Sequence, residues 1–264
     1  MGNTFCEMIL RTIQERNIKQ RDLCYGLCSE STFTRYLRGD RHMDRLLMTA
    51  LMQRLGESPD KFSPMLTEEE YLYFEWRQQV AVAQLHKDWQ ELDLLLRQPA
   101  ARDTSCNEVL QRQYYLLVFG IVQEKCYGNR EESLRALEQA LALTVPDYNM
   151  SLREGARLGV QEINTLLLWQ YLQPDREKSY EILKGLVNYV DTCYTGAQEK
   201  CRVYPKVVAQ YLPFLNQKKL YYECMTLAQK AISLIVDTGY SAGVEEILQA
   251  YIEAMGAVQA PGLE

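Results

Sequence analysis

The chain has 264 residues, of which 47% are hydrophobic and 24% charged, and its net charge is −6. This balance is typical of a folded protein and excludes a disordered one, and no apolar run approaches the roughly 18 residues that a membrane span needs. The N-terminus has no basic segment ahead of an apolar stretch, so we predict no signal peptide and expect a cytoplasmic protein.

The sequence offers little support for an enzyme. Neither of its two histidines, His42 and His86, lies in a nucleophile or paired-carboxylate motif, and no phosphate-binding glycine motif is present. Cys24 and Cys28 lie one helical turn apart, but no second pair of ligands complements them as a zinc site requires. We therefore predict no catalytic residue, no metal and no cofactor, and we interpret the eight cysteines as reduced, buried side chains.

The charge is unevenly distributed along the chain. Between Arg11 and Arg54 there are nine Lys and Arg against five acidic residues, a balance of +4, so the remainder carries −10. A basic segment attached to an acidic remainder indicates a polyanion-binding module joined to another domain.

Hydrophobic spacing predicts four short helices in the basic segment, at residues 4–16, 20–27, 29–37 and 43–55. Ser29 is expected to cap the third helix and Gly39 to end it. With a tight turn between the second and third helices, the pattern is typical of a helix-turn-helix domain. The Pro-, Gly- and Ser-rich stretch from Gly56 to Thr67 predicts a boundary between domains at residues 1–62 and 63–264.

The second domain is predicted to be helical throughout. Five segments begin with a capping box or a close variant, at Thr67, Ser105, Asn129, Ser151 and Thr195. The predicted helices cover residues 67–86, 88–98, 105–126, 130–144, 151–172, 175–192, 197–215, 218–237 and 240–257.

Pairs of these helices recur about every 40 residues, which predicts an all-α fold with a right-handed superhelix of tetratricopeptide-like hairpins. In the best-matching pair, the small residues Gly120 and Ala140 should let two helices approach closely. The matching positions, with one inserted residue, are Leu116, Gly120, Leu137, Ala140 and Pro146.

In a helix-turn-helix domain the third helix lies in the major groove of DNA. Its inward anchors here would be Phe33, Tyr36 and Leu37, and Arg35 could present two donors to a guanine. Phosphate contacts are expected from the residues at the start of the second helix and just beyond the third. The predicted DNA-binding residues are Gln20, Glu30, Ser31, Thr32, Arg35, Arg38 and Arg41. The alternative is a four-helix cap whose arginines are solvated surface.

The stretches KQRDLCYGLCSESTFTRYLRGD and MDRLLMTALMQRLGESPDKF resemble the N-terminal domain of PlcR- and Rgg-type regulators, quorum-sensing transcription factors of Gram-positive bacteria. Thr34 replaces the Ser usual in the family, and Leu37-Arg38 stand where a Glu is common, which leaves the operator sequence open. Beyond this motif the resemblance lies in the helix layout alone. The matching positions are Gln20, Leu23, Cys28, Ser31, Thr34, Arg35 and Gly39.

The resemblance implies that the helical repeats bind a short signalling peptide on their concave face. Asn164, inside a predicted helix, is a poor helix former whose amide can donate to and accept from an extended peptide. Tyrosines, 18 in the chain, suit an adaptable groove. The predicted peptide-binding residues are Arg157, Gln161 and Asn164 on one helical stripe, and Tyr204, Lys206 and Gln210 on a later helix.

Three interpretations of function remain open. The first is a homodimeric, DNA-binding transcriptional regulator controlled by a peptide, since helix-turn-helix regulators generally need two heads to bind paired half-sites. The last predicted helix either caps the repeats or packs against a second subunit. The second interpretation is a protein–protein adaptor without peptide sensing. The third keeps DNA binding and dimerisation but no peptide.

Overall fold

The computed structural model describes residues 3–57, 68–98, 108–146 and 157–259, and every regular element in these ranges is helical. The predicted all-α class is therefore confirmed. The helices are α1 (Asn3–Glu15), α2 (Gln20–Cys24), α3 (Glu30–Leu37), α4 (Arg45–Arg54), α5 (Glu68–His86), α6 (Trp89–Leu96), α7 (Glu108–Lys125), α8 (Arg130–Thr144), α9 (Val160–Tyr171), α10 (Arg176–Cys193), α11 (Ala197–Lys200), α12 (Tyr204–Gln217), α13 (Tyr221–Thr238) and α14 (Val244–Gln259).

The chain forms two compact units. Unit 1 contains Met1–Leu55 and Pro59–Leu172, and unit 2 contains Gly56–Ser58 and Gln173–Glu264. Helices α1–α4, which we call the head, thus belong to the same compact unit as α5–α9. The predicted boundary at residues 62–63 lies outside the described residues.

The head has an apolar core built from one face of each helix. The hydrophobic period of each helix predicts which side chains face this core. One wholly buried example from each helix, in order, is Ile9, Leu23, Phe33 and Leu51. Leu110 of α7 belongs to the same cluster, so the head packs against α7.

Contacts between α4 and α5 also join the head to the rest of unit 1. The Arg45 backbone N–H donates to Glu70 Oε1 at 3.2 Å, and the Arg45 guanidinium lies over the Phe74 ring at 5.2 Å. The head is therefore held by polar contacts as well as by its core.

Many of the helices begin at a residue whose side chain caps the first turn. Ser29 and Asn129 accept the backbone N–H of Thr32 and Glu132, as predicted. The capping box predicted at Thr195 is wrong. The residue that precedes α11 is Gly196, which has no side-chain oxygen to cap the helix. The boxes predicted at Thr67, Ser105 and Ser151 lie outside the described residues.

Helices α7 and α8 form a close antiparallel pair in unit 1. A Cβ added to Gly120 would lie 3.1 Å from Leu137 Cγ, and the Ser133 hydroxyl donates to the Gly120 carbonyl at 2.7 Å. Ala140 is wholly buried on the facing helix. The expectation that small residues let these helices approach closely is confirmed.

The helix predicted at residues 197–215 is interrupted. It divides into α11 and α12, with the second helix starting at Tyr204 and Pro205 in its first turn. Proline favours a helix start because its missing N–H would have no intrahelical partner there. The break therefore follows from backbone chemistry.

The last helix of unit 2, α14, buries small residues. Ile247, Ala250 and Ala254 face inward, against α12 and α13. Leu248 and Ile252 of the same helix are 43% and 56% exposed. The described residues therefore cover only some of the apolar side chains of α14.

Candidate functional site

Helix α3 presents a polar outer face on an apolar anchor. Phe33 and Tyr36 point into the head core, while Arg35 and Arg38 are exposed. Neither arginine forms an ion pair with a side chain of the described residues. Two guanidinium groups are thus free to meet an external anion.

The other predicted DNA-binding residues lie at or near the ends of the head helices. Glu30 and Ser31 are exposed in the first turn of α3, whereas Thr32 is half-buried and its hydroxyl accepts a hydrogen bond from Ser29. Gln20 is half-buried at the first position of α2. Arg41 is exposed beyond α3, and its guanidinium lies 5.5 Å from the centre of the Tyr36 ring, which restrains it.

A buried ion pair that the sequence did not reveal joins the head to α9. Arg54, in the last turn of α4, donates to Glu162 Oε1 at 2.5 Å, and the two side chains are 2% and 6% exposed. The same guanidinium donates to the carbonyls of Leu23 at 3.0 Å, Tyr25 at 2.6 Å and Thr144 at 3.3 Å. One side chain therefore connects α2, the α2–α3 turn, the end of α8 and the start of α9.

The available sequence signal for this pair was the register of α4. Arg54 follows Leu47 and Leu51 on the inward face of that helix. The hydrophobic period of α4 therefore predicts a charged side chain at a position where an apolar one is usual. A charge at such a position requires a buried partner. The identity of the partner could not be read from α4 alone.

The start of α9 depends on contacts with the head. Gly159 N–H donates to Glu162 Oε2 at 2.6 Å, and Val160 N–H donates to the side-chain oxygen of Gln53 at 3.2 Å. Because α9 starts at Val160, Arg157 lies before the helix, and the predicted placement of Arg157 on the helical stripe was wrong. Glu162 supplies the local part of the cap, and Gln53, which is distant in sequence, supplies the rest.

Gln161 and Asn164 of α9 are half-buried, as is Arg157. The Gln161 amide donates to Gln113 Oε1 at 2.9 Å and accepts from Arg77 at 3.4 Å. Gln113 is wholly buried and also donates to Thr144 Oγ1. Gln161 is thus one member of a hydrogen-bonded row that runs towards the head contact.

Arg77 is a further polar group that sequence reasoning missed. Its guanidinium lies 4.1 Å from the centre of the Tyr114 ring, beside Gln161. Burial raises the pKa of Tyr114, while the neighbouring guanidinium opposes that shift. The arrangement places a half-buried positive charge next to a predicted ligand residue.

The predicted peptide-binding residues of α12 belong to unit 2. Lys206 and Gln210 are half-buried, and burial lowers the pKa of Lys206. Tyr204 is wholly buried, with the ammonium groups of Lys200 and Lys230 lying 5.0 and 5.5 Å from its ring centre. Tyr204 is therefore an interior residue in this structure, and its assignment as a peptide-contact residue stays a prediction.

One hollow of about 490 Å³ opens between α5 and α6. Glu75, Gln79, His86 and Asp88 are among its lining residues, and no predicted site residue is. Within the described ranges, no three metal-ligating side chains come together. The hollow therefore brings together none of the predicted site residues.

Comparison with known proteins gives no match: no protein-family model, no curated protein and no solved structure is similar to this chain. None of the helices in the described ranges combines the length and hydropathy that crossing a bilayer requires.

Proposed function

We propose that this chain is a homodimeric DNA-binding transcriptional regulator whose helical body binds a short peptide. In this proposal α2 and α3 are the two helices of a helix-turn-helix, and the body consists of tetratricopeptide-like hairpins, with α7–α8 as the best example. The resemblance to PlcR- and Rgg-type regulators supports each part.

The observation that carries the DNA-binding proposal is the division of α3 into two faces. Phe33 and Tyr36 fix the helix to the head, and Arg35 and Arg38 project from it without an ion-pair partner among the described side chains. Arginine forms bidentate bonds to guanine in the major groove, and further arginines bind phosphates. The balance of +4 between Arg11 and Arg54 adds attraction for a polyanion.

The peptide proposal is supported by half-buried polar groups in each unit. In unit 1, Gln161, Asn164 and Arg77 offer amides and a positive charge. In unit 2, Lys206 and Gln210 offer an ammonium and an amide. Amide groups can bind the backbone of an extended peptide, and the cations suit its carboxylates.

The ion pair between Arg54 and Glu162 supports a link between the two activities. Glu162 follows Gln161 directly, so a ligand that moves the start of α9 also moves the carboxylate that holds Arg54. A peptide shifts the head only if it binds two arrangements unequally, since equal affinity shifts nothing. Homodimerisation, for which Leu248 and Ile252 of α14 offer exposed apolar surface, would join two heads in one molecule.

The test measures binding of the full chain to a randomised DNA duplex library, followed by fluorescence anisotropy with the selected sequence at several salt concentrations. Replacing Arg35 by Ala should lower affinity for the selected sequence by about 5- to 150-fold, because a bidentate base contact contributes about 1–3 kcal/mol. Binding to unrelated DNA should change much less.

Arg135→Ala is the matched control, since it removes the same charge from an exposed position on α8. Equal losses for the Arg35 and Arg135 variants, or no salt-dependent DNA binding at all, would refute the proposal. The second outcome would favour the adaptor interpretation.

A further inference from the structure

Two cysteines flank the turn that leads into α3. Cys24 is the last residue of α2, and Cys28 directly precedes Ser29, the capping residue of α3. The Cys28 N–H donates to the Cys24 carbonyl at 3.0 Å across a non-helical turn in which Gly26 has positive φ. A bond from an amide to the carbonyl four residues earlier holds the two Cα atoms about 6 Å apart, within the range that a disulfide spans.

The side chains of this pair also meet. Both cysteines are free thiols, Cys24 is 1% exposed, and Cys28 is half-buried on the accessible side of the pair. A hydrogen bond from the Cys28 thiol to the Cys24 sulfur lowers the pKa of Cys24 and raises that of Cys28. Burial raises the pKa of both thiols, and the Arg54 guanidinium opposes that rise, so the pair favours a thiolate at Cys24 and a protonated thiol at Cys28.

We propose that Cys24 and Cys28 form an oxidation-sensitive dithiol that a hydroperoxide converts to a disulfide. In the first step a thiolate of the pair attacks the peroxide, the O–O bond breaks, an S–O bond forms, and the departing oxygen leaves as an alcohol or water after taking a proton. In the second step the other thiol loses its proton and attacks the sulfenic sulfur. The S–S bond forms, the S–O bond breaks, and water leaves.

The pair lies where a small displacement acts on α3. Arg54 holds the Tyr25 carbonyl at 2.6 Å, which fixes one side of the turn. Ser29 Oγ accepts the Thr32 N–H at 3.1 Å, directly after Cys28. A bridge that draws Cys28 towards Cys24 therefore moves the cap and first turn of α3.

The consequence for DNA rests on the proposed function. Glu30 and Ser31, in that first turn, are the groups expected at base edges. We expect oxidation to lower specific DNA affinity by about tenfold, the size of one lost base contact.

The test treats the full chain with hydrogen peroxide and maps its cysteines by mass spectrometry of non-reduced peptides. The expected product is a peptide in which Cys24 and Cys28 together lack two hydrogen atoms, restored by dithiothreitol. Cys126→Ser, which removes an exposed thiol just beyond the C-terminal end of α7, should leave this product unchanged. Cys24→Ser should abolish it and leave a sulfenic acid at Cys28, the half-buried thiol, that dimedone captures.

The mapping of the unsubstituted chain decides the proposal even if a variant fails to fold. Both thiols remaining free after Cys126 is oxidised would overturn it, as would separate oxidation of each cysteine to a sulfinic acid. DNA affinity is measured independently by anisotropy. If the reduced chain binds no DNA, the proposed function fails. The mass spectra still show whether Cys24 and Cys28 form a disulfide.

Discussion

Replacing Glu162 by Gln tests the contact between the head and α9. The change keeps the size of the side chain and an acceptor for Gly159 N–H, but it leaves the buried Arg54 charge without a counter-charge. Removing one partner of a buried ion pair costs about 3–5 kcal/mol, because the remaining charge stays desolvated. We expect a loss of unfolding free energy in that range.

The assay is urea unfolding followed by tryptophan fluorescence. All three tryptophans, Trp76, Trp89 and Trp169, belong to unit 1, so the signal reports the unit that contains the ion pair. With a slope of about 2 kcal/mol per molar urea, the expected loss moves the midpoint by about 1.5–2.5 M. Arg135→Ala, which breaks an exposed ion pair with Glu131, should cost about 0–1 kcal/mol.

A midpoint for the Glu162 variant that matches the Arg135 variant would refute the reasoning. It would mean that water reaches Arg54 and screens its charge. An Arg54→Met, Glu162→Leu double variant adds a second check. It should be more stable than the Arg54→Met single variant, because no buried carboxylate is left unpaired.

Two further predictions concern a close backbone contact and an acid-sensitive ion pair. Gly26→Ala should destabilise unit 1 by more than Gly128→Ala in the same urea assay: both glycines have positive φ, but only at Gly26 would the new Cβ lie 2.7 Å from the Thr144 carbonyl carbon, whereas Gly128 has open space. For Asp191, burial alone would raise the pKa, but hydrogen bonds from two lysines prevail and lower it below its ordinary value. The ionised Asp191 carboxylate therefore stabilises the fold above about pH 4, and this stabilisation is lost as the pH falls through the lowered pKa. The thermal midpoint, followed by circular dichroism, should fall more steeply in acid for the wild type than for Asp191→Asn.

Each of these two predictions has a clear contrary result. Equal midpoints for the two alanine variants would mean that the α2–α3 turn does not approach the end of α8 as described. Parallel acid profiles for the wild type and Asp191→Asn would mean that the lysines do not stabilise the Asp191 carboxylate.

Most helices could be predicted from the sequence because their determinants are local. The four-residue spacing of Ile9 and Ile13 fixes the inward face of α1. The side chain of Ser29 caps α3 from the residue directly before the helix. The exposure of Arg35 follows from the same period, since Phe33 and Tyr36 occupy the opposite face. The candidate DNA-contact face is therefore largely a property of a short stretch of chain.

The start of α9 and the burial of Tyr204 could not be predicted from local sequence. Glu162 caps Gly159 N–H locally, but Val160 N–H is satisfied by Gln53, a residue 107 positions earlier, so local sequence marks this helix start only in part. Tyr204 is wholly buried, with the ammonium groups of Lys200 and Lys230 over its ring. Lys230 belongs to α13, so the residue spacing within α12 does not show this contact.

The sequence by itself determined the helical class, most helix positions and the outward arginines of α3, because hydrophobic period and capping act within a few residues. Only the tertiary structure decided that Arg54 meets Glu162, 108 positions away, and that the head shares a compact unit with α5–α9. A buried charge is stable only beside a particular partner, and which partner is available depends on how the whole unit packs.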